Sequence, residues 1–285
     1  MNRCDFVLIL DIQNGNPNGD PSANNHPRVD MHTGEGLISD ACVKRKIRDY
    51  VRAKYGDQPG MEIYQNRDGR LLNDLHRECG APKIGKDGEG GAGNAKNRAA
   101  ILKAQAALCA RFWDVRVFGA MASTEYNAGR PRGAVQITFG RSLHPIQVTS
   151  HQLTRVALTN EKDADKASTM SGRAGKHLIR YAVYRFQGTI MPYQAKITGV
   201  SERDIEILIE AMTKCWGEDM SAARGVMSGR ALVLCQHETQ DGNAPMGTVL
   251  DAVKVSLAKD MPTSWSDVQI DTTAMPPGVT VVRKS

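Results

Sequence analysis

The chain has 285 residues and a net charge of +6, from 37 Lys and Arg against 31 Asp and Glu. Its 41% hydrophobic content can build a real core, but only 5% is aromatic, which argues against a ladder of stacking aromatics for holding single strands. No apolar stretch approaches the roughly 18 residues of a membrane span, and Asp5 interrupts the short N-terminal apolar run, so neither a membrane helix nor a signal peptide is expected.

In chain order, Cys4 to Ile12 predicts a first strand, with Val7, Ile9 and Asp11 on one face and Phe6, Leu8 and Leu10 on the other. Both faces are largely apolar, so the strand is expected at the centre of its sheet. Gly15, Pro17, Gly19, Pro21 and Pro27 predict an irregular loop as far as Gly36. Ser39 or Asp40 can then cap a helix reaching Tyr55, before Gly56 and Pro59. Residues 56–94 are read as irregular and end in a glycine-rich GKDGEGGAGN. A helix from Ala95 to Phe112 and strands at Val115 to Phe118 and Ala134 to Phe139 follow.

Residues 159–176 are polar, charged and glycine-containing, between β-like runs at Gln152 to Leu158 and His177 to Thr189. They read as a protruding hairpin or arm. Apolar spacing at Ile205, Leu208, Ile209 and Met212 predicts a helix over Ser201 to Trp216. Strands at Ala231 to Cys235 and Val249 to Val255, with a β-rich tail, complete an α+β sheet domain of ferredoxin-like class with insertions.

The helix after the first loop carries the most chemistry. Val43, Ile47, Tyr50 and Val51 recur at three- and four-residue steps and should face the core. Lys44, Arg48 and Arg52 then form a stripe on the other side, flanked by Arg45 and Lys46. Residues 41–55 hold six cations and one acid, Asp49. Like charges at this spacing destabilise a helix, so the pattern fits either phosphate binding or a solvated face. A cationic stripe follows a backbone and does not read bases, so any nucleic-acid binding should be independent of sequence.

These residues also carry a family likeness. NGNPNGDP, then PRVDMHTGEGLISDACVKRKIRDYV, resembles the backbone subunit (RAMP superfamily) of type I CRISPR surveillance (Cascade) complexes, most like subtype I-C. VRVFGA at 115–120, GRPRGAVQITFGRSLHPI at 129–146, SAARGVMSGR at 221–230 and GNAPMG at 242–247 resemble later blocks of that family, so the likeness covers most of the chain.

The resemblance implies one RRM-like palm over 1–285, a finger-like insertion at 56–112 and a thumb hairpin at 154–180. It implies a non-catalytic subunit without cofactor or metal, cytoplasmic and off the membrane, acting in antiviral interference. Copies would stack into a helical filament along the crRNA and present it to target DNA beside other Cascade subunits. Because base pairing does the reading, guide contacts should ignore sequence.

Ser39, Lys44, Arg45 and Arg48 match the phosphate-gripping helix. Asn14, Arg28, Arg130, Arg132, Arg173, Lys176, His177 and Arg224 are further candidate RNA contacts, with turn or surface cations as the plain alternative for the basic ones. Met170 fits either an apolar wedge at a kink in the guide or a buried anchor for the hairpin.

Rival motifs are weaker. GEGGAG at 88–93 satisfies GxGxxG but follows no strand. His26, Asp30 and His32, near Asp11 and Asp20 in sequence, could hold a divalent metal, which makes a metal-dependent ribonuclease the alternative function. Backbone subunits of type III complexes cut target RNA from a loop aspartate. The six cysteines show no CxxC pair and read as reduced, mostly buried thiols. Trp113, Trp216 and Trp265 read as core or interface residues.

Overall fold

The computed structural model describes residues 1–66, 68–84, 95–153 and 174–284. Strand β1 (Cys4–Gly15) leads into three short strands, β2 (Gly19–Asp20), β3 (His26–Val29) and β4 (Glu35–Ile38), and then helix α1 (Asp40–Tyr55). Helices α2 (Leu72–Glu78), α3 (Ala95–Arg111) and α4 (Trp113–Phe118) come next, followed by strands β5 (Val135–Ile137), β6 (Gly140–Pro145), β7 (Val148–Leu153) and β8 (Ala174–Ile190). Helices α5 (Pro192–Thr198) and α6 (Glu202–Lys214) precede β9 (Val226–His237). Helix α7 (Met246–Ala252) and strands β10 (Lys254–Leu257), β11 (Val268–Asp271) and β12 (Val279–Lys284) close the described chain.

The main sheet runs β12-β9-β1-β8-β6-β4-β3-β2, with β5 and β7 also paired to β8. Strand β1 is central, antiparallel to both β8 and β9 (Leu8 opposite Phe186 and Leu232). Its apolar run is continuous because both faces are covered. Phe6, Leu8 and Leu10 lie under α1 and α6 with Val43, Ile47, Leu208 and Met212. Val7 and Ile9 face a second layer with Val233, Cys235, Val249 and Leu250. Each such side chain, fully buried, contributes about 1.5–3 kcal/mol. A third cluster, built on Tyr64, Leu75, Leu108 and Phe112, belongs to the segment between α1 and β5.

Four expectations about elements are corrected. Residues 56–94, read as irregular, hold helix α2 (Leu72–Glu78). Residues 115–118 belong to helix α4, all six of whose residues are buried. A short apolar run carries no period, and burial on every side lets β-branched residues sit in a helix. Val249 to Ala252 likewise lie in α7, which begins after Pro245 and packs Val249 and Leu250 on the sheet; only Lys254–Leu257 is strand. The loop before Gly36 is not irregular throughout. Asn24 and Asn25 adopt φ of 50° and 59°, turning the chain so that β2 and β3 pair despite Pro27.

Candidate nucleic-acid interface

The end of β1 and the chain entering β9 lie backbone to backbone. The Asn16 amide donates to the Ala223 carbonyl at 2.8 Å. A Cβ on Gly15 would collide with the Arg224 carbonyl, and one on Gly225 (φ +67°) would strike the Gln13 and Asn14 carbonyls. Glycine at both positions is what permits this approach. Asn14 sits exposed at the strand end with φ 48°.

From there the loop is tied directly to α1. Arg224 Nη1 donates to the Pro17 carbonyl at 2.8 Å. Asn18 Oδ1 accepts from the Ser39 amide and hydroxyl at 2.8 and 3.0 Å, while Ser39 Oγ accepts from the Cys42 amide at 3.3 Å as the helix N-cap. Ser39 is thus already employed in positioning the helix.

Val43, Ile47 and Val51 are buried on the sheet, and Tyr50 packs beside them, as their spacing requires. The cations depart from the expected open stripe. Lys44 and Arg48 lean into the seam with α4, over the Phe118 ring at 5.6 and 5.4 Å. They pair with Asp40 at 2.9 Å and with the buried Asp114 at 2.7 Å. Lys46 is fully buried as a side chain, paired to Asp219, and burial pushes its ammonium down to about 8. Arg45 is shared between Asp49 and Asp219, the latter at 2.8 Å, and Arg224 Nε approaches Asp219 at 3.4 Å. Arg52 is exposed and makes no ion pair among the described residues.

The reason for the difference is physical. Counting residues 41–55 sees one acid, but the fold brings Asp114, Glu210 and Asp219 to the helix from distant segments. Glu210 takes Lys54, Tyr55, Lys214 and Tyr50, and the Lys54 hydrogen bond does most to hold its carboxyl well below the usual range.

Other candidates fall into separate groups. Arg28 pairs with Asp20 at 3.1 Å. Next to it in β3, His26 stacks on His177 with ring centroids 3.5 Å apart, and Ser150 Oγ bonds His177 Nδ1 at 2.9 Å. Lys176 is paired in register with His151 where β7 and β8 run antiparallel; the rest of the expected arm, 154–173, lies outside the described residues. Arg130 and Arg132 are exposed on either side of buried Pro131, without an ion pair among the described residues. The junction of β1, α1 and the 221–225 loop therefore unites Asn14, Ser39, Arg45 and Arg224, with Lys44 and Arg48 beside it. Met170, Arg173 and GEGGAG at 88–93 lie outside the described residues.

A family model described as "CRISPR-associated protein Cas7" matches residues 2–273. The chain belongs to the Cas7 family. A "CRISPR-associated protein Cas7" from Haloferax volcanii is 26% identical over 297 residues, covering 96% of this chain and 82% of that protein. A chain of a solved "CRISPR RNA-guided surveillance complex, pre-nicking" is similar in fold, with a TM-score of 0.55 at 15% identity, over 88% of this chain and 81% of that one.

In this Cas7-family chain the acids proposed for a metal-dependent nuclease are drawn into other contacts. Asp11 is fully buried, paired with Arg230 at 2.9 Å and accepting from the Tyr181 hydroxyl at 3.0 Å. Asp20 takes Arg28 and the Ser22 amide. Asp30 takes Arg141 at 2.8 Å, which is the main reason its carboxyl sits low, and the His32 amide. Among the described residues no three His, Cys, Asp or Glu side chains are placed to share a metal ion.

Sequence reasoning passed over Asn18, Asp114, Phe118 and Asp219, which position the cations. Nothing local marks them. Asp219 is separated from Arg45 by most of the chain, and only the sheet order makes them neighbours. Four of the cysteines are buried in the main or second core or against them, Cys109 is buried in the third cluster, and Cys79 is half-buried; all are free thiols. Trp113 and Trp216 are core residues, and Trp265 packs beside the second layer.

Proposed function

We propose that this chain is a non-catalytic backbone subunit of a type I CRISPR surveillance complex, binding the crRNA spacer along its phosphates and polymerising on it. The observation that carries the reading is the junction where β1, α1 and the 221–225 loop meet, with Arg45, Lys46 and Arg224 gathered around one point in a Cas7-family chain. Backbone-directed cations suit a guide whose bases must stay free to pair. The N-terminal block NGNPNGDP supports subtype I-C within that class.

The order β9-β1-β8-β6, with α1 and then α5 and α6 as crossovers, supports an RRM- or ferredoxin-like palm. On this reading 56–112 is the finger and 154–180 the thumb. Asn14, Arg28, Ser39, Lys44, Arg45, Arg48, Arg130, Arg132, Lys176, His177 and Arg224 form or border the guide path, with Met170 and Arg173 at the thumb. Target DNA pairs with the guide, and other Cascade subunits are partners in the complex. No helix among the described residues is long and apolar enough to cross a membrane, and we place the subunit in the cytoplasm.

The test is binding of several unrelated spacer RNAs by the wild-type protein and by an Arg45→Ala, Arg224→Ala double variant, across a range of salt. Affinity should fall evenly for all sequences, and the slope of log K against log salt should flatten by about 0.7 per lost phosphate contact. An unchanged slope, or loss confined to one RNA sequence, would remove this junction from the interface. Electron microscopy of the protein co-expressed with a guide should show filaments of defined length.

A further inference from the structure

Asp219 is an anion sitting where three cations converge. Its Oδ1 takes Arg45 at 2.8 Å, and its Oδ2 takes both the Lys46 ammonium and, at 3.4 Å, Arg224 Nε. Two of these cations are fixed by their elements. Lys46 lies on α1 with a fully buried side chain, and Arg224 is pinned by its second bond, to the Pro17 carbonyl. The acid is not fixed in that way. It belongs to the 3₁₀ turn Gly217–Asp219, which follows buried Trp216 but itself has no buried residue, and its chain neighbours Glu218 and Met220 are both exposed.

A carboxylate offers two equivalent anionic oxygens to its partners, and so does a phosphodiester. Lys46 also has a reason to keep an anion close, since an unpaired buried ammonium is strongly disfavoured. Removing Asp219 without a replacement would therefore be costly, whereas exchanging it for another anion would not.

We infer that Asp219 is a resident competitor for RNA, occupying the phosphate position built by Arg45, Lys46 and Arg224 until a phosphodiester of the guide displaces it. This rests on the phosphate-binding reading of the junction. The empty subunit then holds its cations assembled and neutralised, so loading swaps one anion for another. The competition lowers intrinsic affinity for any RNA and favours strands that engage many such sites at once.

The experiment compares wild type, Asp219→Asn and Glu218→Gln for binding of an unstructured RNA oligonucleotide. Glu218 is exposed on the same turn and makes no ion pair among the described residues, so its variant removes the same net charge without vacating the site. Asp219→Asn should bind about fivefold tighter, on the order of one part-buried ion pair, with a steeper salt slope, and Glu218→Gln should match wild type. Equal tightening in both variants, or none in Asp219→Asn, would overturn the competitor while leaving the interface itself in place. Failure of wild type to bind at all, with Arg45→Ala no different, would overturn the interface and the competitor together.

A second measurement needs no variant. Hydrogen exchange of wild-type protein on RNA loading should quicken at 217–220 and slow at the start of α1. Protection of 217–220 on loading would overturn displacement.

Discussion

The Asp114 carboxylate, 1% exposed, holds the Arg48 guanidinium at 2.7 Å and also accepts the Tyr64 and Gln65 amides at 2.8 and 3.2 Å. One buried acid thus ties the basic helix to the segment that follows it.

Arg48→Ala is therefore expected to act on stability before it acts on any ligand. It strands a buried carboxylate with only its two amide donors, which costs about 3 kcal/mol. Urea unfolding should show the loss as a lower midpoint at unchanged slope. A variant as stable as wild type would show that the pair is not a structural clamp.

Gly225→Ala should separate the loop from the strand it touches. Its φ of +67° and the Gln13 and Asn14 carbonyls leave no room for a Cβ. Destabilisation of about 1–3 kcal/mol is expected, together with weaker RNA binding because Arg224 moves with the loop. Wild-type thermal stability and affinity would show that the two backbones do not need this contact.

Acid stability should depend on Asp204. Burial alone would raise its carboxyl, but hydrogen bonds from Arg116, at 2.7 and 3.1 Å, and from Ser201 outweigh burial and hold it low. A lowered carboxyl contributes stability that is present above its unfolded value of roughly 3.9 and is lost as pH falls through the folded value. Asp204→Asn should lower stability at neutral pH by about 3 kcal/mol and flatten its fall below about pH 4. Urea midpoints measured from neutral to strongly acidic pH would test this, and parallel curves for the two proteins would contradict it.

The stacked pair His26 and His177 predicts a second pH response. Burial, and then the neighbouring His26, push the His177 imidazole below its ordinary value. A base lowered in this way holds fewer protons folded than unfolded. Its contribution is therefore complete above about 6.5 and is lost as pH drops below that. His26→Asn should shift the His177 titration part of the way back up in an NMR experiment, with burial accounting for the remainder. An unmoved titration would show that the stack has no electrostatic role.

The sequence made the central strand, the core face of α1 and the apolar spacing of helix α6 readable, because each is a local pattern. Ser201 and Asp204 form the capping box in the structure, and Phe6, Leu8 and Leu10 share one face. It misjudged α4, where burial on all sides erases the period that distinguishes helix from strand, and the second half of α7, where the apolar run is too short to show a period. The cationic character of α1 was legible, but its geometry was not. Whether Lys44 or Arg48 faces water depends on Phe118 and Asp114, and no window around the helix contains them.

The position of β1 also governs how the polypeptide must be made. This strand leaves the ribosome well before its neighbours, residues 174–190 and 226–237. At about 5–20 residues per second of synthesis, the nascent N-terminus waits on the order of ten seconds or more with both hydrophobic faces unpartnered. Such a chain is prone to aggregate during translation, and folding factors that shield exposed strands should influence its yield more than changes to the mature surface do.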